Sequence, residues 1–301
     1  MKPSPDGIEP PGFLDADPRP PQPELMKITT IMLCLALLTV CSSAFAGAAP
    51  GAPVEPHQLK NLHLVVIDPG HGGSNRGCLG VDGTWEKQVT LAIAKRVARV
   101  LRKETTSEVR MTRTGDEDLG LRERARMANR WGADVFLSLH VNADIHGVGE
   151  GVETWFLSAG GSDAEAQHLV EKEEGRHSHT NLHAPLAGAV TDIIADTELR
   201  VAQAASSVLA ELVVDGMESQ TLARNRGVKQ AAFGVLKEAK MPAIVIEAGF
   251  FSHEHQGVDL MTDVYQEAVA RGIVDGLIAY DARLGGEAPS RAPRTASVDA
   301  P

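Results

Sequence analysis

The chain has 301 residues, with 29 Lys and Arg against 40 Asp and Glu and a net charge of -11. An acidic protein of this kind is a poor partner for nucleic acid or an anionic membrane surface. With 43% hydrophobic residues, the length suffices for one domain with a sizeable core.

Met1 to Glu24 is crowded with proline and lacks apolar rhythm, too polar to repay its ordering entropy. Met26-Lys27, the apolar stretch Ile31 to Val40 and Ala44-Phe45-Ala46 have the layout of a secretory signal: a positive start, a short apolar core and a small-x-small end. Cleavage is expected after Ala46, with Met26 the expected start of translation and the periplasm or cell exterior the destination. The apolar stretch is too short to span a bilayer comfortably. Val40 stands where a lipid-anchored Cys41 needs a small residue, so no stable membrane anchor is expected after cleavage. Losing residues 1–46 removes three basic and five acidic side chains and leaves -9. Cys78 is then the sole cysteine, read as a small buried hydrophobe rather than a metal ligand, and no internal disulfide is expected. Residues 47–60 read as a linker, 61–283 as the folded domain, and 284–301, rich in Pro, Ala, Ser and Arg, as a disordered tail.

Leu62 to Ile67 is an apolar, β-branched run stopped by Asp68-Pro69-Gly70 and predicts a buried strand. Val89, Ile93, Val97, Val100 and Leu101 recur at helical spacing, with Thr84 the expected N-cap. A short strand over Val109–Thr112 and an amphipathic helix over Leu121–Trp131 follow. Val135 to Leu139 predicts a second buried strand, and Gly151 to Leu157 a third that alternates faces. Ala159 to Glu198 interrupts the rhythm with Gly160-Gly161, the acidic run Glu171-Lys172-Glu173-Glu174 and His177, His179 and His183. It reads as an insertion at a site rim, helical from about Asp163 to Glu174. Helices are expected over Leu199–Val214 and Val264–Tyr280, with a fully apolar strand over Ala243–Ile246 between them. Near-continuous aliphatic strands alternating with helices predict one α/β domain: a central, mostly parallel sheet flanked by helices on both faces.

Such sheets gather their chemistry beyond the carboxyl ends of the strands. His71, His140 and Glu247 each stand at or just past such an end, and Glu86 lies in the first turn of the helix after the first loop. Two imidazoles and a carboxylate hold zinc with one position open, and a further carboxylate can take a proton from water there. Taken singly, Glu86 suits the helix macrodipole and His140 suits a hydrogen-bonded core. Glu247, directly after Ala243-Ile244-Val245-Ile246, is expensive to bury without a metal or partner. Gly70-His71-Gly72-Gly73 is also the shape of an esterase oxyanion loop, but the chain has no Gly-x-Ser-x-Gly elbow. A dinucleotide loop needs a glycine where Asn75 stands. No HExxH helix is present, and His253-Glu254-His255 reads as loop surface.

Val66-Ile67-Asp68-Pro69-Gly70-His71-Gly72-Gly73, Trp85-Glu86-Lys87, Thr112-Arg113-Thr114-Gly115-Asp116, Leu121-Arg122-Glu123-Arg124, Ala133 to Ala143, Gly151-Val152-Glu153-Thr154 and Ile246-Glu247-Ala248-Gly249-Phe250 occur in order. Together they resemble the zinc-dependent N-acetylmuramoyl-L-alanine amidases of the type-3 cell-wall hydrolase family, over about residues 62–281. The resemblance implies that His71, Glu86 and His140 bind one zinc ion and that Glu247 is the catalytic acid/base. It implies hydrolysis of the amide between N-acetylmuramic acid and L-alanine in peptidoglycan, in wall remodelling or daughter-cell separation. Arg113, Arg124 and Asn142 fall on matching positions. Arg124 and Asn142 are expected at the substrate, although an arginine on a charged helix also suits a structural contact. Leu222 to Lys237 resembles the family's cleft-lining block. Leu169 to Glu174 resembles part of a helix that covers the zinc in periplasmic relatives until an activator protein moves it, so Glu173 is expected to cap the open position. A solvated acidic helix face is the plainer reading of that run. The other functional readings are a zinc peptidase on stem peptides and a non-enzymatic wall-binding or activator protein.

Overall fold

The computed structural model describes residues 56–158, 164–174 and 189–286. The expected signal peptide and cleavage point, most of the linker and tail, and His177, His179 and His183 lie outside the described residues. Six strands form one sheet: β1 (Leu64–Pro69), β2 (Glu108–Met111), β3 (Val135–Asn142), β4 (Val152–Leu157), β5 (Asn225–Ala231) and β6 (Ala243–Phe250). Their order is β2-β1-β3-β6-β4-β5. All neighbours run parallel except β4 and β6, which are antiparallel. The helices are α1 (Glu86–Glu104), α2 (Leu121–Trp131), α3 (Ala164–Glu174), α4 (Ala189–Thr221), the single turn α5 (Gln256–Asp259) and α6 (Asp263–Leu284). Among the described residues, no helix is long and apolar enough to cross a membrane.

The aliphatic strands are explained by two cores, one on each face of the sheet. Val65, Ile67, Leu137, Leu139, Ile244 and Ile246 pack with the apolar faces of α1, α4 and α6. Residues one position out of phase, including Val66, Phe136 and Val245, join Trp155, Phe233, Ala128 of α2 and Leu169 of α3. β1, β3 and β6 therefore bury both phases of their two-residue period. All five apolar positions that predicted α1 are buried in the first core.

Several boundaries differ from the sequence expectation. β4 does not alternate between core and solvent: Val152 to Phe156 are all buried, because α3, α4 and neighbouring strands cover both faces. α4 begins ten residues before Leu199, since no glycine or proline lies between Ala189 and Leu199. The expected insertion therefore runs straight into this helix. Thr84 is not the cap of α1; Trp85 holds that position, and its N–H donates to Gln88 Oε1 at 3.1 Å while Thr84 Oγ1 donates to Asp82. β5 went unrecognised because Asn225-Arg226-Gly227-Val228-Lys229-Gln230 is polar and only half-buried at the sheet edge. The fold also reaches into the expected linker. Leu59 is in the core, and the N–H groups of Lys60, Asn61 and Leu62 donate to the Asp281 carboxylate.

Candidate metal centre and cleft

Sheet register places the chemistry. His140 on β3 pairs across to Glu247 on β6, and Glu247 pairs to Glu153 on β4. Cross-strand partners project on one face, the same face as Phe136 and Val245, under α2 and α3. β1 completes the row: a Cβ at Gly70 would stand 2.4 Å from the His140 ring, so only glycine admits that imidazole. His71 follows Gly70 and turns the chain in a left-handed conformation (φ 59°). Glu86 comes from the first turn of α1, which covers the opposite face. Gly77 gives it room; a Cβ there would stand 2.6 Å from the Glu86 carboxylate.

Four donor atoms, on His71, Glu86, His140 and Glu173, lie within 4.8 Å of one another, and all four residues are buried. His71 Nε2 is 3.0 Å from Glu86 Oε1 and 2.9 Å from Glu173 Oε2. His140 Nδ1 is 3.2 Å from Glu86 Oε1 and 2.9 Å from Glu173 Oε2. Yet His71 Nε2 and both Glu173 oxygens have no partner in hydrogen-bond geometry. His140 Nδ1 and Glu86 Oε1 do form a hydrogen bond, but the unpartnered His71 Nε2 and Glu173 oxygens, packed this close, face a common point with them. Ligands about 2.0–2.1 Å from a tetrahedral zinc would themselves stand about 3.3 Å apart, so the donor set and its spacing fit one zinc ion.

Electrostatics agree. Burial opposes charge on His71, but the Glu86 and Glu173 carboxylates outweigh it and raise the ring's pKa to about 11; the same contest lifts His140 to about 9. Burial likewise opposes the Glu173 charge and Glu86 repels it, yet the two histidines bring its pKa down to about 2. The carboxylates of Glu86 and Glu173 thus make the pocket attract positive charge, here the protons of the two rings. Glu247 behaves oppositely. Both its oxygens are buried without a hydrogen-bond partner, and burial followed by repulsion from Glu173 raises its pKa well above the carboxylate range.

Around the cluster, His71 Nδ1 lies 2.9 Å from Asn75 Oδ1, which also accepts the Gly77 N–H. That acceptor holds a proton on Nδ1, so Nε2 is the nitrogen that would release its proton and turn a lone pair to a metal. Glu86 Oε1 accepts the Val141 N–H and Oε2 the Cys78 N–H. The Cys78 thiol donates to Val141 O and is not among the clustered ligands.

The two residues expected at the substrate have structural partners. Arg124 is buried, donating to Asp68 Oδ1, Pro69 O and His71 O at 2.7–2.8 Å. Its guanidinium is spent inside the loop rather than offered to a substrate carboxylate. Asn142 donates to Glu153 Oε1 at 3.0 Å and accepts the Ala143 N–H. Glu153, to which the sequence reading assigned no role, is fully buried and also accepts from Trp155 Nε1, Arg226 Nε and Lys229 Nζ. Its visible signals were a carboxylate inside an apolar strand and its place in the Gly151-Val152-Glu153-Thr154 block. The Glu173 carboxylate reaches the cluster because Leu169, one turn earlier on α3, is buried against Trp155 and Phe233. Lys172 Nζ lies 3.3 Å from Glu173 Oε1.

A family model described as N-acetylmuramoyl-L-alanine amidase matches residues 65–279. The chain is 32% identical over 224 residues to N-acetylmuramoyl-L-alanine amidase AmiA of Salmonella typhimurium, covering 72% of this chain and 75% of the relative. AmiA of Escherichia coli matches at 31% identity with the same coverage. Among solved structures, the N-acetylmuramoyl-L-alanine amidase from Clostridium difficile 630 superposes with a TM-score of 0.56 at 31% identity, covering 73% of this chain and 97% of that one.

Proposed function

Because the chain belongs to the N-acetylmuramoyl-L-alanine amidase family, we propose the following division of labour among its own residues. The enzyme is a metallo-amidohydrolase that cleaves the amide joining N-acetylmuramic acid to L-alanine in peptidoglycan. His71 Nε2, Glu86 Oε1 and His140 Nδ1 would hold the zinc. When bound, zinc supplies a water with a pKa near neutrality and polarises the scissile carbonyl. Glu247 takes a proton from the attacking water at a carboxylate oxygen and delivers it to the departing alanine nitrogen. The observation that carries this reading is the convergence of the buried donor atoms, beside a carboxylate whose oxygens hydrogen-bond to nothing else.

Glu173 takes the fourth position about the cluster, where water and the substrate carbonyl must enter. We read α3 as a lid that holds the enzyme off until a partner protein draws it aside. The segment upstream of the domain is consistent with export to the periplasm or beyond, where peptidoglycan is met. The direct test is mass spectrometry of purified peptidoglycan digested by the full chain. Intact stem peptides beginning with alanine should leave the glycan, chelation should stop their release, and zinc should restore it. Peptides cut internally would point to a stem-peptide peptidase, and no release, even from the Leu169→Ala variant that loosens α3, to a non-enzymatic binding protein.

A further inference from the structure

We propose that Arg113 and Arg124 are positioning residues for the metal, gripping three consecutive carbonyls so that His71 Nε2 points at the cluster. The inference rests on the reading of His71 as a zinc ligand and extends it to residues that touch neither metal nor substrate.

β1 ends at Pro69, so the carbonyls beyond it have no strand to pair with, and buried carbonyls need partners. Arg113 Nε donates to Pro69 O at 2.9 Å and its Nη2 to Gly70 O at 2.7 Å. Arg124 Nη1 donates to Pro69 O at 2.8 Å and its Nη2 to His71 O at 2.7 Å. The two guanidiniums come from different places, one just past β2 and one on α2, and both are almost wholly buried. Each is itself anchored. Asp68 Oδ1 accepts from Arg124 Nη1 at 2.8 Å, while Arg113 also donates to Gly115 O, Lys87 O and Thr90 Oγ1. Thr90 Oγ1 in turn donates to Gly70 O.

The conformation being held is an unfavourable one. A left-handed φ on a side chain other than glycine survives only where its surroundings over-determine it. Here the carbonyls before and after the His71 Cα are both pinned, which fixes that peptide pair and the direction of Cβ. Asn75 then sets the ring rotation through Nδ1. Lysine cannot replace the fork, because one ammonium on a flexible stem does not reach two carbonyls in a fixed plane.

The test uses the full chain carrying Arg113→Lys or Arg124→Lys, which keep the charge and lose the fork. Zinc affinity is measured by competition with a chromophoric chelator, well below the melting midpoint of the metal-free protein. Each variant should bind zinc about 10–100-fold more weakly than wild type, with turnover restored by excess zinc. Thr90→Val, a milder change that removes one anchor of Arg113 and Gly70 O, should shift affinity the same way by less. It decides the matter if the arginine variants do not fold. Unchanged zinc affinity in folded arginine variants, or in Thr90→Val where they fail to fold, overturns the positioning role and leaves the zinc reading intact. If His71→Ala binds zinc as tightly as wild type, the zinc reading and the positioning role fall together.

Discussion

Leu169→Ala tests whether α3 restrains the enzyme without touching the metal or the catalytic carboxylate. Leu169 is 4% exposed and anchors α3 against Trp155 and Phe233, one turn before Glu173. Burying a leucine side chain is worth about 1.5–3 kcal/mol, so trimming it to alanine should cost the docked state about 2 kcal/mol. At that value the ratio of docked to open helix falls roughly 30-fold. Basal activity should rise by about the same factor, until the open form dominates. The readout is release of soluble fragments from dye-labelled peptidoglycan with no partner protein added. Limited proteolysis within 164–174 independently reports whether the helix has lifted. Glu173→Gln should activate by weakening the contact with His71 and His140. Combining it with Leu169→Ala should give less than the product of the single effects, because activity saturates once the open form dominates. The reasoning is refuted if Leu169→Ala makes α3 protease-sensitive while basal activity stays at the wild-type level.

Three further outcomes bear on the centre itself. Glu247→Gln should lower kcat by about 10²–10⁴-fold, the usual worth of a positioned acid/base; zinc content by metal analysis should match wild type, and loss of zinc instead would make Glu247 a ligand. Gly70→Ala puts a methyl 2.4 Å from the His140 ring and should cut both zinc occupancy and activity; full occupancy by elemental analysis would contradict the sheet register described above. Asn75→Ala removes the acceptor that orients His71 Nδ1 and should weaken zinc about 10–100-fold, read by chelator competition; an unchanged affinity would show that the loop alone sets the ring.

Much of this molecule was legible before any coordinates. The alternation of aliphatic strands with amphipathic helices specified a mostly parallel sheet, because burying both faces of a strand leaves a continuous apolar run that few other architectures need. His71, Glu86, His140 and Glu247 stood out by contrast, as polar groups placed where those runs end. Local pattern could not reveal β5, whose polar residues are stabilised by their neighbour β4 rather than by a core of their own. Nor could it decide the roles of Arg124 and Glu153. An arginine on a charged helix and a glutamate in a strand acquire meaning only from their partners, here the carbonyls of Pro69 and His71 and the side chains of Asn142, Trp155, Arg226 and Lys229. The meeting of Glu173 with His71 and His140 is likewise a product of tertiary packing: it depends on where Leu169 finds an apolar pocket. Hydrophobic periodicity is written along the chain, whereas the direction of a hydrogen bond or a ligand's lone pair is set by groups far away in sequence.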